Sequence, residues 1–144
     1  GAGSVLWRAS VNAPLSAGVG SDGRYAAVVT RGNALVTLDA GQELWRTTLK
    51  AEVFTAPLVA GARVFVLAAD RSVSAFDAQS GARLWQVQRP GDALVLRRGG
   101  VLMAVGNTLV LGLSGRLVGL NPVNGAVLWR RGGWSRAGLA AHRW

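Results

Sequence analysis

The feature that most constrains this chain is a tryptophan that returns inside the same phrase. Trp7, Trp45, Trp85 and Trp129 lie 38, 40 and 44 residues apart. Residues Ala75 to Trp85, AFDAQSGARLW, align without a gap on Gly119 to Trp129, GLNPVNGAVLW, and Thr37 to Trp45, TLDAGQELW, is the same phrase two residues shorter. Upstream of each copy a turn precedes an apolar run: Asp22-Gly23 before Tyr25 to Val29, Gly61 before Val64 to Ala68, and Gly106-Asn107 before Leu109 to Leu113. Self-similarity at this period marks stacked supersecondary units, none of which can bury its apolar face alone.

Inside a unit the residues read as short strands. Phe54 to Ala60, Arg63 to Ala68, Ser72 to Asp77 and Ala82 to Gln88 are runs rich in valine and leucine, punctuated by glycine and aspartate. Such runs fit half-buried or buried strands, and no long window has helical periodicity. Four strands in about 40 residues with tryptophan in the last describe a propeller blade. The fold expected is therefore all-β: a partial propeller of about three four-stranded antiparallel blades over residues 1–130, with repeats ending near Trp45, Trp85 and Trp129 and a divergent tail over 131–144.

The phrase also has a mechanical reading. Asp77 or Asn121 can accept hydrogen bonds from the amides of the following turn, and Gly41, Gly81 and Gly125 permit positive φ where the chain reverses. The indole then offers a broad face to the next blade and an N–H that needs an acceptor there. Asp39, Gly41 and Trp45, then Ala75, Asp77, Gly81 and Trp85, then Asn121, Gly125 and Trp129 are the expected blade-docking residues. The three tryptophans are expected to be mostly buried in the outermost strands. Ligand stacking is the rival use of such rings, but one tryptophan per repeat in the same strand points to packing.

Composition narrows the chemistry. Half of the 144 residues are apolar and 16% are charged, which suits a packed core rather than disorder. No apolar run approaches the roughly 20 residues of a membrane-spanning helix. There is no cysteine, which removes disulfides, thiolate metal sites and a cysteine nucleophile. His142 is the only histidine and has no second histidine with which to share a metal. Ser21-Asp22-Gly23 and Ser114-Gly115-Arg116 sit at turn positions, where hairpin geometry accounts for them before any phosphate cradle does. Of the net charge of +9, residues from Ala93 onward contribute +7, from seven arginines and no acid. Such asymmetry fits an acidic partner, a nucleic acid, or a piece whose balancing acids lie elsewhere.

The phrase Ala75, Asp77, Gly81, Trp85 resembles the tryptophan-docking motif of the quinoprotein-like, PQQ-repeat propellers, which have eight blades. Within them the chain is similar to the BamB family of outer-membrane β-barrel assembly lipoproteins, through Gly18 to Gly23 (GVGSDG), Ala51 to Pro57 (AEVFTAP) and above all Leu94 to Arg97 (LVLR). From about Leu6 to Arg130 the resemblance covers under half of an eight-bladed ring, so terminal blades are expected to leave faces uncovered. It implies a non-catalytic, cofactor-free scaffold at the periplasmic face of the outer membrane. It implies docking to a POTRA domain of BamA, with no nucleic-acid partner and no small-molecule substrate. Membrane contact would be indirect or through a lipid anchor upstream.

Leu94, Leu96 and Arg97 are the partner-binding residues the resemblance implies: two apolar side chains and a fork-shaped cation on an extended segment. From the residues alone the same segment also reads as an inter-blade connector. Arg98 stands where the family usually has glycine, and the acidic loop that completes the contact in that family belongs to a later blade. A quinone-dependent dehydrogenase fragment is one rival, although no cysteine pair is present and no acid follows Asp92. A basic nucleic-acid-binding fragment is another, although its arginines are mostly scattered singly.

Overall fold

The computed structural model describes residues 15–88, 100–113 and 116–131. These form twelve strands in chain order: β1 (Gly20–Ser21), β2 (Tyr25–Val29), β3 (Ala34–Asp39), β4 (Gln42–Thr48), β5 (Leu58–Ala60), β6 (Arg63–Leu67), β7 (Ser72–Asp77), β8 (Arg83–Gln88), β9 (Val101–Val105), β10 (Thr108–Leu113), β11 (Arg116–Leu120) and β12 (Val127–Arg131). They make three four-stranded antiparallel sheets, β1 to β4, β5 to β8 and β9 to β12, each ordered as in the sequence. No described residue is helical. The all-β blade architecture read from the repeat is thus the architecture found.

The blades stand side by side with their first strands together, β5 lying against both β1 and β9. That crowding is close enough that a side chain at Gly20 would strike the Pro57 carbonyl. Between blades 1 and 2 the core is Tyr25, Ala27, Val29 and Leu35 against Val59, Val64, Val66 and Phe76. Between blades 2 and 3 it is Phe65, Leu67, Val73 and Ala75 against Leu109, Leu111 and Leu120.

The tryptophans fasten one blade to the next. Trp45, in β4, donates its indole N–H to the Ala78 carbonyl at 2.8 Å, and Trp85, in β8, donates to the Pro122 carbonyl at 2.9 Å. Each ring lies on the glycine of the following phrase. A Cβ built on Gly81 would come within 2.7 Å of the Trp45 ring, and one on Gly125 within 2.6 Å of the Trp85 ring. Both glycines also hold positive φ, +80° and +78°. Trp85 is 9% exposed, and Trp45 and Trp129 are somewhat more so. All three rings are mostly buried, as expected, Trp85 the most deeply. Trp129 lies over Gly119 of its own blade, with the Arg131 guanidinium 5.8 Å from its ring centre.

A bulge aims each ring. Trp45 pairs with Thr37 but Glu43 pairs with Leu38, so Leu44 is the extra residue. Leu84 and Leu128 are extra in the same way, between Trp85 and Arg83 and between Trp129 and Val127. Without the extra residue, side chains two apart would share a face. With it, Arg83 turns towards blade 1 while Trp85 turns towards blade 3.

The turns before the outer strands differ between blades. Asp77 Oδ1 accepts from the Gln79 and Ser80 amides at 2.9 Å, and Asn121 Oδ1 accepts from the Val123 amide at 2.9 Å. The hydrogen bonds from the Ser80 and Gln79 amides, aided by the Ser80 side chain and the charge of Arg63, hold the Asp77 carboxyl below its ordinary value. Asp39 plays no such part. Its turn is a tight one, with Ala40 and Gly41 both at positive φ, and its carboxylate meets Arg24 at 3.5 Å.

Of the two end faces, one is exposed along its first strand. Val101 and Val105 are 49% and 56% exposed on the far side of blade 3, beside exposed Met103. The outer face of blade 1, by contrast, is buried: Ala26, Val28, Val36 and Leu38 are at most 2% exposed, with Leu15 packed on them.

Three outcomes are expected. Gly125→Ala should lower stability by about 2 kcal/mol or more, since it meets both a positive φ and the Trp85 ring; a denaturant midpoint followed by tryptophan fluorescence measures it. Thr37 has a fully buried hydroxyl without a partner where blades 2 and 3 carry Ala75 and Gly119. Thr37→Val should therefore raise the midpoint, by about 1 kcal/mol. Because its folded-state pKa is lowered, Asp77 contributes stability that is complete above its ordinary value of 3.8 and is lost as pH falls through the folded value. Asp77→Asn, the residue type of Asn121, should make acid unfolding less steep. An unchanged pH profile would remove the carboxylate from the account.

Candidate functional site

Each blade runs from an inner first strand to an outer fourth strand, so a connector must return across one end of the array before the next blade starts. From β4 to β5 this connector is residues 49–57. The Leu49 amide donates to the Asn33 carbonyl and the Ala69 amide to the Glu52 carbonyl, both at 2.7 Å. Val53 is fully buried while Phe54 is exposed. The connector thus shares its end of the molecule with the β2–β3 and β6–β7 turns.

The next connector, from β8 to β9, contains Leu94, Leu96 and Arg97. These three lie outside the described residues, but both ends of their segment are placed. At the outer end, the Gln88 side-chain amide donates to the Asp70 carbonyl. At the inner end, Thr55 Oγ1 accepts from the Gly100 amide at 3.1 Å and donates to the Gly100 carbonyl at 3.4 Å. The described residues that flank the segment are thus tied to Asp70 and to Thr55. Thr55 was no part of the sequence reading; the Thr-Ala-Pro within Ala51 to Pro57 was its only trace.

The candidate serine and histidine positions take ordinary structural parts where they are described. Ser21 Oγ accepts from the Gly23 amide at 3.1 Å, and Asp22 Oδ1 accepts from the amides of Arg24 and Tyr25 at 3.0 and 2.9 Å. These bonds build the β1–β2 turn. Ser114 and Gly115 lie outside the described residues, as does His142. Among the described residues no three of His, Cys, Asp or Glu converge as a metal-binding group.

Two exposed ion pairs lie among the described residues, Arg24 with Asp39 at 3.5 Å and Arg46 with Glu43 at 2.8 Å. The Arg46 hydrogen bond holds the Glu43 carboxyl below its usual range and the guanidinium above its own. Exposed pairs of this kind contribute little to stability. Blade 3 carries Arg116, Arg130 and Arg131 with no acid between Gly100 and Arg131, so positive charge grows along the array.

Comparison with known proteins agrees with this geometry. The family model described as outer membrane protein assembly factor BamB matches residues 1–138. The BamB of Bordetella pertussis (strain Tohama I) is 36% identical over 129 residues, covering 88% of this chain and 33% of that protein. The crystal structure of BamB from Moraxella catarrhalis superposes with a TM-score of 0.71 at 28% identity, covering 82% of this chain and 37% of that one. A europium-containing methanol dehydrogenase superposes with a TM-score of 0.66 at 19% identity, covering 84% of this chain and 25% of that one, a likeness of fold alone. The chain spans about a third of the length of the curated relatives it matches.

Proposed function

The chain belongs to the BamB family of outer membrane protein assembly factors, and from that premise we propose that it is the part of a non-catalytic scaffold that docks a POTRA domain of BamA in the periplasm. The observation that carries this reading is the family match over residues 1–138, which includes Leu94 to Arg97. The described residues on either side of that segment, Gln88 and Gly100, are bonded to Asp70 of blade 2 and to Thr55 of the connector before it. Leu94 and Leu96 supply apolar contact, and Arg97 supplies a planar cation that can bond a carboxylate or carbonyl of the partner. Phe54, in the preceding connector, is also exposed.

Placing BamA requires no reacting group. The quinone enzymes that share the fold hold their cofactor with a cysteine pair and carboxylates, and this sequence has no cysteine and no acid after Asp92. Membrane contact then passes through the partner, or through an anchor upstream.

The reading is tested by capture of the BamA POTRA region on the immobilised chain in a bivalent format. Arg97→Ala should weaken capture by about 2 kcal/mol, roughly thirtyfold. Leu94→Ala with Leu96→Ala should abolish it, and the circular-dichroism spectrum should stay unchanged in both. Unimpaired capture by the arginine variant would take Arg97 out of the interface. Unfolding of the double leucine variant would make the segment a buried connector instead.

A further inference from the structure

The junction between blades 1 and 2 opens into a groove of about 340 Å³, and a smaller one of about 110 Å³ lies between blades 2 and 3, at Arg63, Asn107 and Pro122. One wall of the larger groove is the end of β4 and the connector after it, with Thr47 and Lys50; the other is the outer half of blade 2, with Ser72, Ser74, Arg83 and Gln86. Its floor is apolar, formed by Val66, Ala68 and Phe76.

The repeat itself shows that the fold does not require these polar residues. Matched by strand register, the position of Ser74 is Val36 in blade 1 and Val118 in blade 3. The position of Arg83 is Val127 in blade 3, and that of Thr47 on the facing wall is Val87. At the second junction Val87, Val118 and Val127 pack onto the core. The same architecture is thus filled with valines at one junction and lined with hydroxyls and a cation at the other.

The Ser74 hydroxyl sharpens the contrast. The residue is 8% exposed, and its side chain has no hydrogen-bond partner among the described residues, although it lines the groove. In an open groove such a hydroxyl is left to water, which a ligand's own hydroxyl can replace. Asp70 also lines the groove, but its Oδ1 is engaged, accepting from the Ser72 hydroxyl at 2.6 Å and the Ser72 amide at 2.9 Å. Arg83 is steered by Gln86, whose Oε1 accepts from Nη1 at 2.9 Å. Neither Arg83 nor Lys50 has a carboxylate within ion-pair distance among the described residues.

We propose that this groove binds a small anionic, polyhydroxylated molecule of the sugar-acid class. Two cations without carboxylate partners select negative charge. Thr47 and Ser74 can donate and accept, as a sugar's hydroxyls require, while Ser72 keeps its proton on Asp70 and can accept, and the apolar floor takes the C–H face of a ring. The volume lies at the small end of ligand pockets, suited to one or two sugar units. The proposal is independent of docking through Leu94 to Arg97, since it uses none of those residues.

The test is an NMR titration of the ¹⁵N-labelled chain with D-glucuronate, with D-glucose and inorganic phosphate as separate arms. Glucuronate should give saturable shifts at the Thr47, Ser74 and Gln86 amides, at least about tenfold tighter than glucose, the worth of one charge-assisted bond. Ser74→Val, which installs the valine of the other two blades, and Arg83→Gln should each weaken binding about tenfold. Should the valine variant fail to fold, the exposed Arg83 carries the test alone. Three outcomes overturn the proposal: no saturable shift at these amides, binding unaffected by the variants, or phosphate binding as tightly as glucuronate.

Discussion

Everything in this molecule hangs on an indole seated on a glycine of the next blade. A blade by itself has two apolar faces, and neighbours must hold them together along a line of short first strands that share few contacts with one another. The outer ends of the blades would splay without a fastener. Trp45 and Trp85 supply it by combining broad apolar area with one directional bond, to the carbonyl of Ala78 and of Pro122. A buried tryptophan removes some 150–250 Å² from water, worth about 4–6 kcal/mol as an upper estimate. The bond fixes which way the ring lies. Gly81 and Gly125 then satisfy two demands at once, a chain reversal at positive φ and a flat seat without a Cβ.

Stability in such an array is a sum of blades and junctions rather than of one central core. The two junctions here are not alike. That between blades 2 and 3 is apolar from the first strands out to Val127. That between blades 1 and 2 is apolar only as far as Phe76, and beyond it turns to serine, threonine and arginine. Trp45 closes over the boundary between these halves, its ring 5.9 Å from that of Phe76. The difference in exposure between Trp45 and Trp85 follows, since one fastener borders an open groove and the other a filled one.

Much of this was legible in the sequence, for a physical reason. A repeat demands that residues at one structural position answer the same demand, so the phrase from Ala75 to Trp85 displayed strand, turn and fastener together. What the sequence hid was phase. The alternation of β8 suggests that Arg83 and Trp85 share a face, and only the bulge at Leu84 parts them. Asp39 was misleading because a phrase two residues shorter closes as a tight hairpin, in which a carboxylate has no turn amides to accept and reaches Arg24 instead. Ser74 was invisible as an exception until the register matched it to Val36 and Val118. Thr55, forty-five residues before Gly100 in the chain, was out of reach of any local pattern. The partner segment from Leu94 to Arg97 was read by family likeness alone.

The bulges have an effect on strangers as well as on neighbours. Among the described residues β4, β8 and β12 are the outer strands of their sheets, and a long regular edge is a template on which another extended chain can lay itself. Here each edge breaks step at Leu44, Leu84 or Leu128, so its donors and acceptors fall out of phase partway along. An incoming strand in register on one side of the break is out of register on the other. The device that turns tryptophan inward thus also spoils the rim as a surface for amyloid-like copying, although it leaves one leucine per blade in the open.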